Sequence, residues 1–285
     1  MTEILSSLVQ LSLLVFVIGS MFSLGLSLTM QQIIDPLKNT RMVFLAFIAN
    51  FVLVPLLAYG LAVLFNLDET LRIGLILLST AAGAPFLPKL VDVAKGNIAF
   101  SVGLMVLLMV VTIIYLPLVL PLLLGDVEVS PWDIAQSLII MMLIPLAAGL
   151  FIKGRYEEAA AKIQPTFGMA ANIALITLTV LGLVLNFSSM IALVGTLGIL
   201  AGIVFILIAL IIGYLLGGSN PGDKSVMGLG TAQRNIAAAL VVAGQNFGTE
   251  VITYLMVIAV ISLVILMPAA GEIGRRMQGA AASEQ

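Results

Sequence analysis

Hydrophobic runs long enough to cross a lipid bilayer follow one another along nearly the whole sequence. A membrane-spanning helix needs about 20 mostly apolar residues, because the hydrocarbon core is about 30 Å thick. Such runs are expected to be helical, since a helix satisfies its backbone hydrogen bonds internally where water is absent. The sequence therefore predicts an all-α polytopic membrane protein, with one membrane domain over residues 1–285.

The composition excludes several other classes of protein. With 61% hydrophobic residues, 9% charged residues and a mean hydropathy of +1.23, the chain is not an ordinary soluble domain. It has no cysteine and no histidine, which excludes disulfides, thiol chemistry and imidazole catalysis and leaves zinc and haem without their usual ligands. The net charge of −2 gives no indication of nucleic-acid binding. We therefore predict that the chain is not an enzyme and has neither a metal site nor a nucleic-acid partner. The partner that the composition does indicate is the lipid bilayer around the chain.

The hydrophobic runs divide into nine predicted spans, joined by short connections. They are Leu8–Leu28, Met42–Phe65, Thr70–Ala94, Ile98–Leu124, Ile134–Ile152, Pro165–Asn186, Met190–Gly217, Ser225–Phe247 and Val251–Gly271.

Charged residues divide consistently between the two sides if the N-terminus lies outside. Basic residues cluster in cytoplasmic connections of membrane proteins. The inner connections then hold Lys38, Arg41, Lys95, Lys153, Arg155, Lys162, Lys224, Arg275 and Arg276. The outer ones hold Asp68, Glu69, Asp126, Glu128, Asp133 and Glu250, with Arg72 as the exception. We predict a cell (plasma or inner) membrane protein with a short cytoplasmic tail at 275–285.

The third and eighth spans carry helix-breaking residues at mid-depth. We expect breaks at Gly83, Pro85 and Pro88 in the third span, and at Gly228 and Gly230 in the eighth. The two spans lie five apart and therefore run in opposite directions. Paired broken helices in inverted halves indicate a transporter's binding site, here with repeats of about 1–125 and 130–275. The alternative is that these are ordinary proline kinks, which are common in membrane helices.

Arg234 lies near the centre of the eighth span, between Gln233 and Asn235 and close to Thr231. A central arginine costs at least about 2.5–3.5 kcal/mol on insertion scales, so it needs polar partners or a role. It could act as a tethered cation bonded to freed carbonyls. It could pair with an anionic substrate, or it could only join helices together.

Three motifs resemble the bile acid:sodium symporter family. They are Met21-Phe-Ser-Leu-Gly-Leu-Ser-Leu-Thr29, Asn50-Phe-Val-Leu-Val-Pro55 and Ala94-Lys-Gly-Asn-Ile-Ala-Phe-Ser-Val102. The resemblance implies inverted repeats folded as a core domain and a panel domain. Many members have ten helices, and this chain would lack the first. It also implies transport of a small organic anion.

The sequence departs from that family at its sodium ligands. Where the resemblance places a serine and an asparagine, this chain has Leu87 and Pro88; a threonine is replaced by Met105 and a glutamate by Gly230. Of the family's side-chain ligands it keeps Ser101, with Asn50 in place of a glutamine. The resemblance therefore implies a degenerate site, with sodium a doubtful cofactor.

These observations favour secondary active transport of a bile-acid-like compound, a keto acid or a related carboxylate by alternating access, with Arg234 as a fixed cation. The first alternative is conventional sodium symport through a rebuilt site. The second is a membrane sensor or scaffold, which the tail without an output domain disfavours. Substrate, coupling ion, direction and oligomeric state stay open.

Overall fold

The computed structural model describes residues 2–125, 130–185, 188, 191, 193 and 195–283. All regular secondary structure in this part of the chain is helical, which confirms the predicted all-α class. The principal helices are α1 (Thr2–Ser27), α2 (Thr40–Leu64), α3 (Glu69–Thr80), α4 (Leu87–Val93), α5 (Ile98–Leu124), α6 (Pro131–Arg155), α7 (Glu157–Leu185), α8 (Leu197–Leu216), α9 (Pro221–Ala232), α10 (Ile236–Asn246) and α11 (Thr249–Ser283). A short helix, Met30–Ile34, and a 3₁₀ turn, Asp35–Lys38, connect α1 to α2.

Eight segments of the described chain are long and apolar enough to cross a membrane. The remaining predicted span, the third (Thr70–Ala94), corresponds to α3 and α4, each too short to cross alone. We call this pair crossing A, and the broken pair α9 and α10 crossing B. Together these segments account for the nine predicted spans.

Some boundaries differ from those predicted. Helix α7 begins at Glu157 rather than at Pro165, and α11 continues past Gly271, because charged segments extend both helices beyond the apolar runs. The described start of α8 is Leu197, capped by the Thr196 side chain. The predicted outer acids Asp126 and Glu128, and residues 186 and 190 at predicted span ends, lie outside the described residues.

The spans pack as two groups, as expected for a panel and a core. Helices α1, α6 and α7 form the first group. The backbones of α1 and α6 meet at two glycines, Gly25 and Gly149. A Cβ on Gly25 would lie 2.3 Å from the carbonyl oxygen of Leu146. Small residues allow this close approach in membranes. In the second group, α2, α5, α8 and α11 surround crossings A and B.

Helices α2 and α6 each contain one π-helical turn, at Ala49–Leu53 and Ile139–Leu143. Each turn ends two residues before a proline: the first ends before Pro55 and the second before Pro145. A proline has no N–H for the carbonyl four residues earlier, and its ring crowds that carbonyl. The wider turn accommodates this local conflict while both helices continue across the membrane.

Crossing B lies at the centre of the molecule. In the most apolar 18-residue stretch of this crossing 94% of the residues are buried, whereas 17–50% are buried in the corresponding stretches of the other seven candidate spans. The middle of this crossing is therefore shielded from lipid by protein, which is the condition that a charged residue at mid-depth requires.

Candidate functional site at the helix crossing

Crossing A is interrupted at Ala81–Phe86, between the end of α3 and the start of α4. Gly83 has φ +77°, and a Cβ there would lie 2.2 Å from the backbone nitrogen of Met109. No other residue fits this position without a backbone shift. Pro85 lies in the interruption, as predicted. Pro88 does not: it is in the first turn of α4, where a missing N–H costs little.

Crossing B is interrupted at Gln233–Asn235, later than predicted. Gly228 and Gly230 are not at the break, because both lie inside the regular helix α9. Their role is close packing: a Cβ on Gly230 would lie 3.0 Å from Cδ2 of Leu87, across the crossing. The prediction placed the break at the wrong residues of the correct span.

Asn235 bonds the two interruptions to each other. Its backbone N–H donates to the carbonyl oxygen of Ala81 at 2.8 Å, and its Nδ2 donates to that of Gly83 at 3.1 Å. Its Oδ1 accepts from the N–H of Ala238 at 3.1 Å, which caps the N-terminus of α10. One asparagine therefore starts a half-helix and fixes the unwound backbone of crossing A beside it.

The Arg234 guanidinium lies between the two crossings and is 3% exposed. Its Nη2 donates to the carbonyl oxygen of Ser79 at 2.6 Å, and its Nε donates to that of Leu78 at 3.3 Å. Its Nη1 donates to Oδ1 of Asn50 at 2.7 Å and to the carbonyl oxygen of Thr231 at 3.2 Å. These bonds use four of the five N–H donors of an arginine.

Three of the acceptors are carbonyls in the last turns of half-helices. Leu78 and Ser79 lie in the last turn of α3, which ends at Thr80, and Thr231 is next to the last residue of α9. Carbonyls in a last turn have no following turn to donate to them and carry the negative end of the helix dipole, so they attract a cation. Of the three, the Leu78 carbonyl also accepts from the N–H of Ala81 at 3.2 Å. In the described part of the chain no Asp or Glu forms an ion pair with Arg234. Backbone dipoles and Asn50 therefore solvate its charge.

Asn50 and Thr231 complete the polar centre. Asn50 lies in the π turn of α2 and is 1% exposed. Its Nδ2 donates to the carbonyl oxygen of Ala46 at 3.0 Å and to Oγ1 of Thr231 at 3.4 Å. The structure thus brings together four of the predicted site residues: Asn50, Thr231, Arg234 and Asn235.

The other two predicted site residues do not bond to Arg234. The Gln233 side chain faces α11, where its Oε1 accepts from Oγ of Ser262 at 3.3 Å. Ser101 is buried, but its hydroxyl donates to the carbonyl oxygen of Ile98 in its own helix at 2.7 Å. The spacing of these residues along a helix does not predict which hydrogen-bond partner their side chains will have.

Thr112 was not predicted as part of the site. Its hydroxyl contacts both backbone polar groups of Ala82, the N–H at 3.1 Å and the carbonyl oxygen at 3.2 Å, and so supports the unwound segment of crossing A. The signal in the sequence was its hydroxyl in the mostly apolar span Ile98–Leu124. The Arg234 acceptors Leu78 and Ser79 carried no such signal, because they act through their backbones.

Two broken helices that meet at their interruptions within a buried core are typical of secondary transporters. The sequence profile described as the Sodium Bile acid symporter family matches residues 13–193, more than half of the chain. The chain belongs to that family. The match ends before crossing B, so the correspondence drawn for the Arg234 segment stays a prediction.

Named relatives agree with this assignment. The chain is 26% identical over 159 residues to the "Uncharacterized sodium-dependent transporter YocS" of Bacillus subtilis, covering 55% of this chain and 50% of the relative. It is 24% identical over 235 residues to the "Probable sodium/metabolite cotransporter BASS1, chloroplastic" of Arabidopsis thaliana, covering 80% and 58%. It is 23% identical to the "Sodium-dependent organic anion transporter" of Mus musculus, covering 58% and 46%.

These matches span about half the length of the relatives. The relatives are transporters and not enzymes, in agreement with the prediction that the chain is not an enzyme. The predicted multi-pass membrane class is likewise confirmed.

Proposed function

We propose that this protein is a secondary active transporter of a small organic anion that works by alternating access without the usual two bound sodium ions. The observation that carries the proposal is the set of four hydrogen bonds from Arg234 to Asn50 and to the backbones of Leu78, Ser79 and Thr231. The guanidinium would act as a fixed cation between the crossings.

Physical chemistry supports this role for the arginine. In transporters with broken helices, sodium binds at half-helix C-termini and freed carbonyls, while half-helix N-termini face anionic substrate groups. Here the guanidinium is bonded to the C-terminal carbonyls of α3 and α9. Its charge is permanent, so no ion from solution is required to balance these dipoles. The substitutions Leu87, Met105 and Gly230 further deprive sodium of side-chain oxygens.

The proposed substrate class is a carboxylate or sulfonate of the kind implied by the family, whose relatives are named for organic anions or metabolites. A cavity of about 330 Å³ lies where α6 of the first helix group meets α10 of the second. Its polar lining residues are Gln136, Gln245 and Asn246, which carry amides, together with Ser137 and the acidic Asp133. Alternating access requires a solute path between two such groups, so we assign the substrate route here.

A larger cavity, about 1000 Å³, lies at the opposite end of crossing B. Its lining comes from α8, α9, α11 and the connection before α5, all elements around the crossings, with Asn220 and Arg276 among the residues. A cavity within one helix group does not open and close when the groups move against each other. We therefore do not place the substrate in it.

Uptake into proteoliposomes tests the proposal. Purified protein is reconstituted, and uptake of labelled pyruvate and taurocholate is measured with an inward gradient of sodium, potassium or choline. A fixed cation predicts equal uptake of the transported anion under all three gradients. Sodium stimulation of about ten-fold or more would show that sodium still binds and would overturn the fixed-cation role.

The names of the relatives favour one second candidate, sodium symport through a rebuilt site. YocS and the mouse protein are both named as sodium-dependent. Such a site would have to use backbone carbonyls with Asn50 and Ser101. The same uptake measurement separates the candidates, because only symport through a rebuilt site predicts strong stimulation by sodium.

A further inference from the structure

Tyr115 forms a polar contact with α2 near the crossing. Its hydroxyl, on α5, donates to the carbonyl oxygen of Phe51 at 2.6 Å. The rings of Tyr115 and Phe51 also contact each other, with centroids 4.7 Å apart. Phe51 follows Asn50 directly in the π turn Ala49–Leu53. The contact therefore reaches the turn that carries the Arg234 partner.

The Phe51 carbonyl lacks its α-helical donor. In a regular α-helix it would accept from the N–H of the residue four positions later, which is Pro55 and has none. The N–H of Val54 is already used, because it donates to the carbonyl oxygen of Ala49 in the π pattern. The Tyr115 hydroxyl supplies a donor at the point where proline removes one.

The π turn also determines which residues of α2 face the crossing. Ala49 and Asn50 are buried, as are Val54 and Pro55 five positions later. A turn with i to i+5 bonding keeps residues five apart on one face, whereas an α-helical turn would rotate one pair away. Loss of the π turn would therefore move Asn50 relative to Pro55 and away from Arg234.

We propose that Tyr115 is a positioning residue: by bonding to the Phe51 carbonyl it stabilises the π turn, and through that turn it holds Asn50 Oδ1 against the Arg234 guanidinium. The residue acts through Asn50 and needs no contact with the substrate. This inference deepens the proposed function and rests on it, since the Asn50–Arg234 bond matters for transport only if the crossing is the working site.

The test is Tyr115→Phe, which removes the hydroxyl and keeps the ring. The matched control is Tyr254→Phe, because the hydroxyl of Tyr254 likewise donates to a backbone carbonyl, that of Gly198, at 2.9 Å; Tyr254 is buried, whereas Tyr115 is half-buried. Each variant loses one hydrogen bond to a carbonyl, and both are expected to melt a few degrees below the native protein in detergent. Only Tyr115→Phe should lower uptake, by about five-fold, the effect of one neutral hydrogen bond.

Two double variants show how the residue acts. Asn50→Ala with Tyr115→Phe should transport no more slowly than Asn50→Ala alone, because Tyr115 acts through Asn50. In a Pro55→Ala background, Tyr115→Phe should leave the melting temperature unchanged, since the substituted alanine restores the N–H that the Phe51 carbonyl lacks. Equal loss of uptake in Tyr115→Phe and Tyr254→Phe, or additivity with Asn50→Ala, would overturn the positioning role.

The outcome can be separated from that of the proposed function. All variants are compared under one fixed sodium gradient, so a sodium-dependent native protein still allows the cycle with Asn50 to be measured. If neither pyruvate nor taurocholate is transported, the proposed substrate class fails. The melting comparison in the Pro55→Ala background still decides whether Tyr115 supports the π turn, and an undiminished loss of stability there would refute it.

Discussion

At the scale of single residues, the guanidinium of Arg234 differs from a bound ion because it cannot dissociate during the transport cycle. A sodium ion that binds and leaves can couple its gradient to substrate movement. A side chain bonded to Ser79 and Leu78 across the crossing can only hold crossing A to crossing B. Uptake by this protein should then be driven by the gradient of an ion other than sodium.

Removal of the guanidinium should abolish transport. In Arg234→Gln the carbonyls of Leu78 and Ser79 both lose a charged donor in a buried site. The Leu78 carbonyl keeps its bond from the Ala81 N–H, whereas an unsatisfied Ser79 carbonyl costs about 1–3 kcal/mol. We expect no uptake with or without sodium. Arg234→Lys keeps the charge but not the planar fork, so uptake should fall about ten-fold without vanishing. Proteoliposome uptake by the three proteins checks this, and an active glutamine variant would contradict it.

A second substitution should partly restore a sodium requirement. Arg234→Gln with Gly230→Glu adds a carboxylate on α9, next in sequence to Thr231, whose carbonyl the guanidinium has left, and carboxylate and carbonyl oxygens are the hard ligands that small cations prefer. The new side chain would have to displace Leu87, whose Cδ2 would lie 3.0 Å from its Cβ. We expect weak uptake that rises with sodium concentration. Sodium-stimulated uptake by Arg234→Gln alone would show that the acid is not needed.

At the scale of helices, the break in crossing A offers a test with an internal control. Pro85 lies in the unwound segment, whereas Pro88 lies in the first turn of α4. Pro85→Ala with Pro88→Ala should fold but transport little or nothing, because a more helical segment would bond internally the carbonyls that the site uses. Pro88→Ala alone should retain uptake near that of the native protein, since the first-turn N–H is unpaired in any helix. Unimpaired uptake by the double variant would contradict this view.

The sequence predicted the break in crossing A better than the break in crossing B. Gly83 has both a positive φ and a backbone contact that excludes any side chain, so its residue type marked the position directly. In crossing B, Gly228 and Gly230 suggested a weak helix, but a glycine costs only about 1 kcal/mol in a helix interior. Packing against Leu87 outweighs that cost. The break follows instead from the N-cap Asn235 and its bonds to crossing A, which are long-range contacts.

The π turns show a similar limit. Pro55 and Pro145 predicted a local disturbance of each helix, but not its form. The turn in α2 depends on a donor from Tyr115, a residue 64 positions away from its acceptor Phe51. A pattern along one segment cannot contain that information. For the same reason the sequence indicated Arg234 and Asn50 as site residues but not the backbone acceptors at Leu78 and Ser79.

At the scale of the whole molecule, the number of spans and the two helix groups followed from hydrophobicity and from the family resemblance. Orientation rests on a different physical signal, the distribution of basic residues between the two sides. We propose that the N-terminus lies outside, that the C-terminal end of α11 is cytoplasmic, and that residues of about 1–125 and 130–275 are the inverted repeats. An odd number of crossings requires the two ends of the chain to lie on opposite sides.

Labelling of single cysteines tests this orientation, and the chain has no native cysteine to interfere. Ser130→Cys and Thr249→Cys lie at exposed positions in predicted outer connections, and Lys38→Cys and Glu158→Cys at exposed positions on the predicted inner side. A membrane-impermeant maleimide applied to intact cells should label the first pair and leave the second pair unlabelled, because the bilayer excludes the charged reagent. Permeabilised cells are the control, in which all four should react.

Labelling of Glu158→Cys in intact cells would place α7 in the opposite direction. Because crossings A and B both take their direction from the number of spans before them, it would also remove the basis for treating them as inverted counterparts.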